Sequence, residues 1–231
     1  MVKIKFKSVL PFLAVALTVF LGVVSAFVCN GIFSMKEDTE TIYNDKKIHQ
    51  RKTILSAVKN PDSGALVSAM VVCFNPKDKT VKTVALPTDT CVEVASSNQM
   101  LKNILSIGGT EMLRESVHDI LPLPVDYHII INSTDLYCPD GDYHNAVNWI
   151  FSYGLWQQGD IKTYLSQILS LSSTDLSMFN IDDYVEFLNR FAEHTNQYHT
   201  IPGQREYKDD RVMYVTDAFS VAEFVNSSIF N

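Results

Sequence analysis

The chain has 231 residues, is 46% hydrophobic and 19% charged, and carries a formal net charge of −7 with a pI near 5.3. An acidic chain without a basic stripe excludes a nucleic-acid partner, which would need Lys and Arg gathered on one face. Four cysteines with no CxxC and no Cys/His ligand spacing exclude a disulfide-built scaffold and structural zinc, so folding rests on an apolar core.

Lys3, Lys5 and Lys7 open the chain, and residues 8–35 then hold no charged side chain. A hydrocarbon core of about 30 Å is crossed by roughly 20 apolar residues in helical form, and the run bounded by Val9 and Phe33 exceeds that. The three lysines set the amino end in the cytoplasm, although Lys46, Lys47, Arg51 and Lys52 weaken the contrast. Val24-Ser25-Ala26 also resembles a signal-peptide cleavage site, but the apolar run continues through Phe27, Val28, Ile32 and Phe33, past an ordinary h-region. The sequence therefore predicts a cytoplasmic tail over 1–8, a single transmembrane helix over 9–33, an extracellular stalk over 34–52 and one exported domain over 53–231.

The folded part begins near Thr53. The apolar run over 67–74 suits a strand buried on both faces, Asn75-Pro76-Lys77-Asp78-Lys79 a turn, and 80–86 the second strand of a hairpin. Pro87-Thr88-Asp89-Thr90 interrupts it before 91–94 resumes extended structure. Helices over 96–107 and 110–121, separated by Gly108-Gly109, precede a strand over 126–132. Amphipathic helices over 161–171 and 181–193, with Asp175 or Asn180 as candidate caps, a strand over 211–216 and a closing helix over 218–230 complete the pattern. The order strand, strand, helix, helix, strand predicts an α/β (α+β mixed) fold: a mixed central β-sheet flanked by helices, preceded by the transmembrane helix.

Some conspicuous residues have ordinary readings. Cys73 and Cys91 fall in neighbouring predicted strands, either as free thiols or as a pair. His128 in an apolar strand reads as a satisfied, partly buried histidine, and His194, Tyr198 and His199 as residues following a helix end. Trp149, Phe151, Tyr153, Leu155 and Trp156 form the densest aromatic stretch, read as core packing or as the lining of a lipid or glycan groove.

Three stretches together carry a resemblance. They are Met70-Val-Val-Cys-Phe-Asn-Pro-Lys followed by Val84-Ala-Leu-Pro-Thr-Asp-Thr-Cys-Val-Glu-Val; Gly108-Gly109 leading to Pro124-Val-Asp-Tyr-His-Ile; and, more weakly, Thr174-Asp-Leu-Ser with Ile201-Pro-Gly. In order and spacing they resemble the LytR-CpsA-Psr family of bacterial envelope proteins, as a divergent and shortened member. The resemblance implies an anchored, extracellular domain that moves a glycopolymer from polyprenyl-pyrophosphate to peptidoglycan, with Mg²⁺ as cofactor, in a bacterial cytoplasmic membrane. It gives Asp89 the place of the family's aspartate, as a catalytic and Mg²⁺-binding residue. The arginine before it is Thr88 here, the family's other aspartate falls on Val67, and residues 142–169 contain Lys162 but no arginine.

A pyrophosphate leaving group needs bidentate cations and a neutralising metal, so these losses predict an envelope lipid- or glycan-binding member with weak or no transferase activity. Two other readings stay open. One is an active phosphotransferase in which Lys102, Arg114 or Arg205 supplies ligand-binding charge beside Asp89. The other is a non-catalytic accessory partner of a full-length family member.

Overall fold

The computed structural model describes residues 50–157 and 159–230. The predicted tail, transmembrane helix and nearly all of the stalk lie outside the described residues; among those described, no helix is long and apolar enough to cross a membrane. In chain order the elements are β1 (Lys52–Lys59), β2 (Leu66–Asn75), β3 (Thr80–Ala85), β4 (Cys91–Val94), β5 (Ser97–Met100), α1 (Leu101–Ile120), β6 (Tyr127–Asn132), α2 (Tyr143–Trp149), α3 (Ile161–Ser170), β7 (Ser172–Thr174), α4 (Ile181–Asn189), β8 (Thr195–Thr200), β9 (Gln204–Lys208), β10 (Arg211–Val215) and α5 (Ala218–Phe224).

Six strands form one mixed sheet in the order β7-β6-β1-β2-β3-β8, with β1/β6 and β3/β8 parallel and the other pairs antiparallel. This pairing puts the carboxyl ends of β1, β3, β6 and β8 on one edge, together with the start of β2. Side chains alternate across each strand, and in β2 the two sets are both apolar. Ala69, Val71 and Cys73 join a core under α1 and α5, whereas Met70, Val72 and Phe74 join a second core under α2, α3 and α4. Helices on both faces explain why β2 reads as an unbroken apolar run.

Phe74 meets Phe151, Phe187 and Phe191 edge-on at 6.5, 5.9 and 5.4 Å between ring centroids. The aromatic stretch thus divides, with Phe151 and Leu155 buried in the second core while Trp149 and Tyr153 stay exposed.

The structure amends several sequence expectations. β1 sits at the centre of the sheet, although only a boundary near Thr53 is read from sequence. Residues 97–100 are not helical but pair with β4 in a hairpin, turned by Ala95 and Ser96, both at positive φ. The two predicted helices form one element broken at Gly109 (φ 72°, ψ −163°), a backbone region open to glycine alone. Asn180 stands ahead of α4 but makes no capping bond. The side-chain caps are Asp142 on α2, Asp160 on α3 and Asp217 on α5. Cys73, Cys91 and Cys138 are free thiols.

Candidate functional site

Asp89 stands at the carboxyl end of β3, in a turn that the backbone fixes from three sides. Pro87 has no N–H to continue the ladder. Its carbonyl instead accepts from Thr90 N at 3.0 Å and Thr90 Oγ1 at 2.6 Å, which closes a tight turn around Asp89. The Thr88 and Thr90 carbonyls accept from Lys102 N and Leu101 N, each at 2.8 Å, and so seat the first turn of α1 against this loop. From the other side, Tyr214 N of β10 donates to the Asp89 carbonyl at 2.9 Å.

The same ribbon delivers a cation. Arg205 of β9 pairs with Tyr214 across the ladder and places its Nε 3.0 Å from Asp89 Oδ2. The arginine side chain is 67% exposed and the aspartate 27%. Ile201-Pro202-Gly203 sets the approach of the ribbon. The Tyr214 hydroxyl donates to the Ile201 carbonyl at 2.7 Å, and a Cβ at Gly203 would lie 2.6 Å from the tyrosine ring.

Of the sequence candidates, the structure brings Asp89 and Arg205 together and sets Lys102 beside them in the first turn of α1, its ammonium unpaired among the described residues. Arg114 is directed elsewhere. Its guanidinium lies 3.1 Å from Asp175 Oδ2 and donates to the Val125 carbonyl at 2.7 Å. Asp175 also accepts from His128 N at 2.8 Å, so this cluster ties α1 to the start of β6, at the edge of the sheet opposite Asp89. Asp175 is therefore a cross-link between elements and not a helix cap.

Val67 falls where the β1/β2 register shifts and packs against the second core. No carboxylate faces Asp89 from that position. With Asp89 Oδ2 already held by a guanidinium, and no group of three His, Cys, Asp or Glu side chains converging among the described residues, the donor set does not fit a protein-held Mg²⁺.

One polar pair on this edge is not singled out by the sequence. Ser68, fully buried at the start of β2, has its Oγ 3.1 Å from His144 Nδ1 on α2. Burial lowers the His144 pKa and nearby Asp142 opposes the shift, so the ring is neutral at pH 7. A neutral imidazole can accept from the Ser68 hydroxyl at Nδ1 in one tautomer or donate to it in the other, so this contact ties β2 to α2 in either form. The available signal is Asp142, a cap two residues ahead of His144.

The profile of the LytR_cpsA_psr family matches residues 49–136. The polyisoprenyl-teichoic acid–peptidoglycan teichoic acid transferase TagU of Bacillus anthracis is 32% identical over 76 residues, which are 32% of this chain and 25% of that protein. TagU of Bacillus subtilis (strain 168) is 28% identical over 101 residues, 43% of this chain and 33% of that protein. The matched stretch thus spans a quarter to a third of these curated relatives.

Solved structures share the fold more widely. TagV of Bacillus subtilis superposes with a TM-score of 0.64 at 15% identity, over 78% of this chain and 96% of that one. A protein of Enterococcus faecalis described as a transcriptional regulator gives 0.62 at 18% identity, over 75% and 84%. TagT bound to LI-WTA gives 0.57 at 13% identity, over 76% and 88%. Residues 49–136, which take in β1 to β6, Asp89 and the double glycine, thus match the LytR_cpsA_psr family in sequence, and the fold is shared with these solved structures.

Proposed function

We propose that the domain binds a polyprenyl-diphosphate-linked or glycan component of the cell envelope at the strand-end site around Asp89, and transfers it weakly or not at all. The observation that carries this reading is the Asp89–Arg205 pair. A retained aspartate is held by one largely exposed guanidinium, with Thr88 beside it and Val67 where a second carboxylate would stand. One arginine grips a phosphate bidentately, but phosphoryl-type transfer depends on several cations placed where charge develops, and each such donor is worth about a hundredfold or more in rate. The relatives named as teichoic acid transferases support the ligand class. Anchoring through 9–33 in a bacterial cytoplasmic membrane, with the domain outside, belongs to the same proposal.

The test is calorimetry of a short polyprenyl diphosphate with the purified chain, with and without Mg²⁺, beside a transfer assay run in parallel with TagU of Bacillus subtilis. Binding that weakens at least tenfold in Arg205→Ala, with transfer at least about a hundredfold slower than TagU, is expected. Transfer at a comparable rate would sink the weak-activity reading. It would favour an active phosphotransferase with rearranged cations, for which the observation is Lys102 seated against Thr88.

A further inference from the structure

A pocket of ≈ 460 Å³ opens on the second face of the sheet, where Ile131 of β6 meets the facing sides of α2 and α3. That volume lies within the range of small-molecule sites, about 300–1,000 Å³. Its wall carries the rings of Tyr137, Trp149 and Tyr164 and two polar groups, Asp135 and Gln167. Tyr137 is 89% and Trp149 43% exposed, so aromatic surface stands in water at the mouth. Trp156 Nε1 spends its proton on the Leu188 carbonyl at 3.0 Å, but Trp149 Nε1 and the Tyr164 hydroxyl have no protein partner among the described residues. Asn132 Nδ2 donates to Asp135 Oδ2 at 2.7 Å and leaves Oδ1 open.

Charge and polarity narrow the occupant. Asp135 is the single charged group of the lining and no cation accompanies it, so a phosphate or carboxylate would be repelled. Ile131, Leu136, Ala146, Ile150, Ile168 and Leu171 offer apolar contact, but a hydrocarbon chain would satisfy none of Asp135 Oδ1, the Gln167 amide, the Trp149 N–H and the Tyr164 hydroxyl. A pyranose without charge meets both demands, its C–H faces against the rings and its hydroxyls against Asp135 and Gln167.

We propose that this pocket is a binding site for a neutral saccharide unit. It lies at the same sheet edge as Asp89, and β6 and β3 are separated by β1 and β2. At about 4.8 Å per strand, β6 and β3 are offset by roughly 14 Å along the sheet edge, so the two sites are separate places on the domain. The inference goes beyond the preceding reading, since it names a second and uncharged ligand at residues that reading does not use.

Trp149 and Trp156 are the chain's two tryptophans, so intrinsic fluorescence reports the site directly. The full chain would be titrated with the neutral N-acetylglucosamine tetramer, with maltotetraose and with geranylgeranyl diphosphate. A saturable emission change with at least one neutral tetramer is expected, lost in Trp149→Phe, at least tenfold weaker in Gln167→Ala and unchanged in Asp89→Ala. Gln167 is exposed, so its variant keeps the fold even if the indole replacement does not. No saturable response to either tetramer up to about 10 mM, or a response to the isoprenoid alone, would overturn the assignment. A response that Asp89→Ala abolishes would place the sugar at the other site and overturn it equally. If the saccharide response survives while the diphosphate fails to bind, only the preceding reading falls.

Discussion

The Arg–Asp pairs Arg114–Asp175 and Arg205–Asp89 are nearly equal in length, at 3.1 and 3.0 Å, and their surroundings give them different work. In the first, both side chains are about 30% exposed or less, the arginine also holds the Val125 carbonyl, and the aspartate also holds a backbone N–H of β6. In the second, the arginine projects from a two-stranded ribbon and, among the described residues, its one charged partner is Asp89. Distance alone does not separate a structural ion pair from a ligand-ready one. The number of further groups each partner satisfies does.

The largest effect that would sharpen this contrast is Asp175→Ala, which leaves the His128 N–H without its acceptor and the Arg114 guanidinium with only the Val125 carbonyl. It should cost about 2 kcal/mol, read as a lower urea midpoint at constant slope. A cost below about 0.5 kcal/mol would put Asp175 in the same class as the exposed pair and break the comparison. Ser68→Ala, which removes a buried hydroxyl bonded to His144, should cost about 1 kcal/mol by the same measurement. Arg205→Ala should cost less than about 0.5 kcal/mol, because an exposed pair gains little over hydration. Its consequence is expected in ligand binding, and a large stability loss would mean that the ribbon depends on the pair.

The smallest effect is a dependence on pH. Burial holds the His144 pKa below its ordinary 6.5, so the unfolded chain takes up a proton that the folded ring refuses. That contribution to stability is intact above pH 6.5 and declines as pH falls below it, until the folded ring also protonates. Titration of the imidazole by NMR should give a midpoint below 6.5, and a midpoint above it would show that Asp142 outweighs burial.

The sheet was legible where residue chemistry left one choice. The apolar run of β2, the Asn75-Pro76 turn and the break at Gly109 all follow from local rules. β1 is less visible because Ser56 and two lysines dilute its apolar content, and its place comes from pairing with β2 and β6, which are distant in sequence. β5 is hidden because Ala95-Ser96 is an uncommon pair at positive φ, so the stretch reads as the start of a helix.

The candidate site divides along the same line. Asp89 is marked by Pro87 and its threonines, but nothing local says which arginine reaches it, and the answer depends on a ribbon more than a hundred residues later. His144 is missed for the same reason, because Ser68, which orients it, lies 76 residues earlier.

The burial of Cys73 bears on how the chain withstands oxidation. The apolar surroundings push its thiol up to about 12, against the smaller pull of Arg51 and Lys82. Disulfide exchange and oxidant attack both start from the thiolate, a form this sulfur almost never takes at neutral pH. In an oxidising compartment Cys73 therefore stays chemically silent while the sheet is folded. It becomes a reporter of unfolding, alkylated only when β2 leaves its place between the two layers of helices.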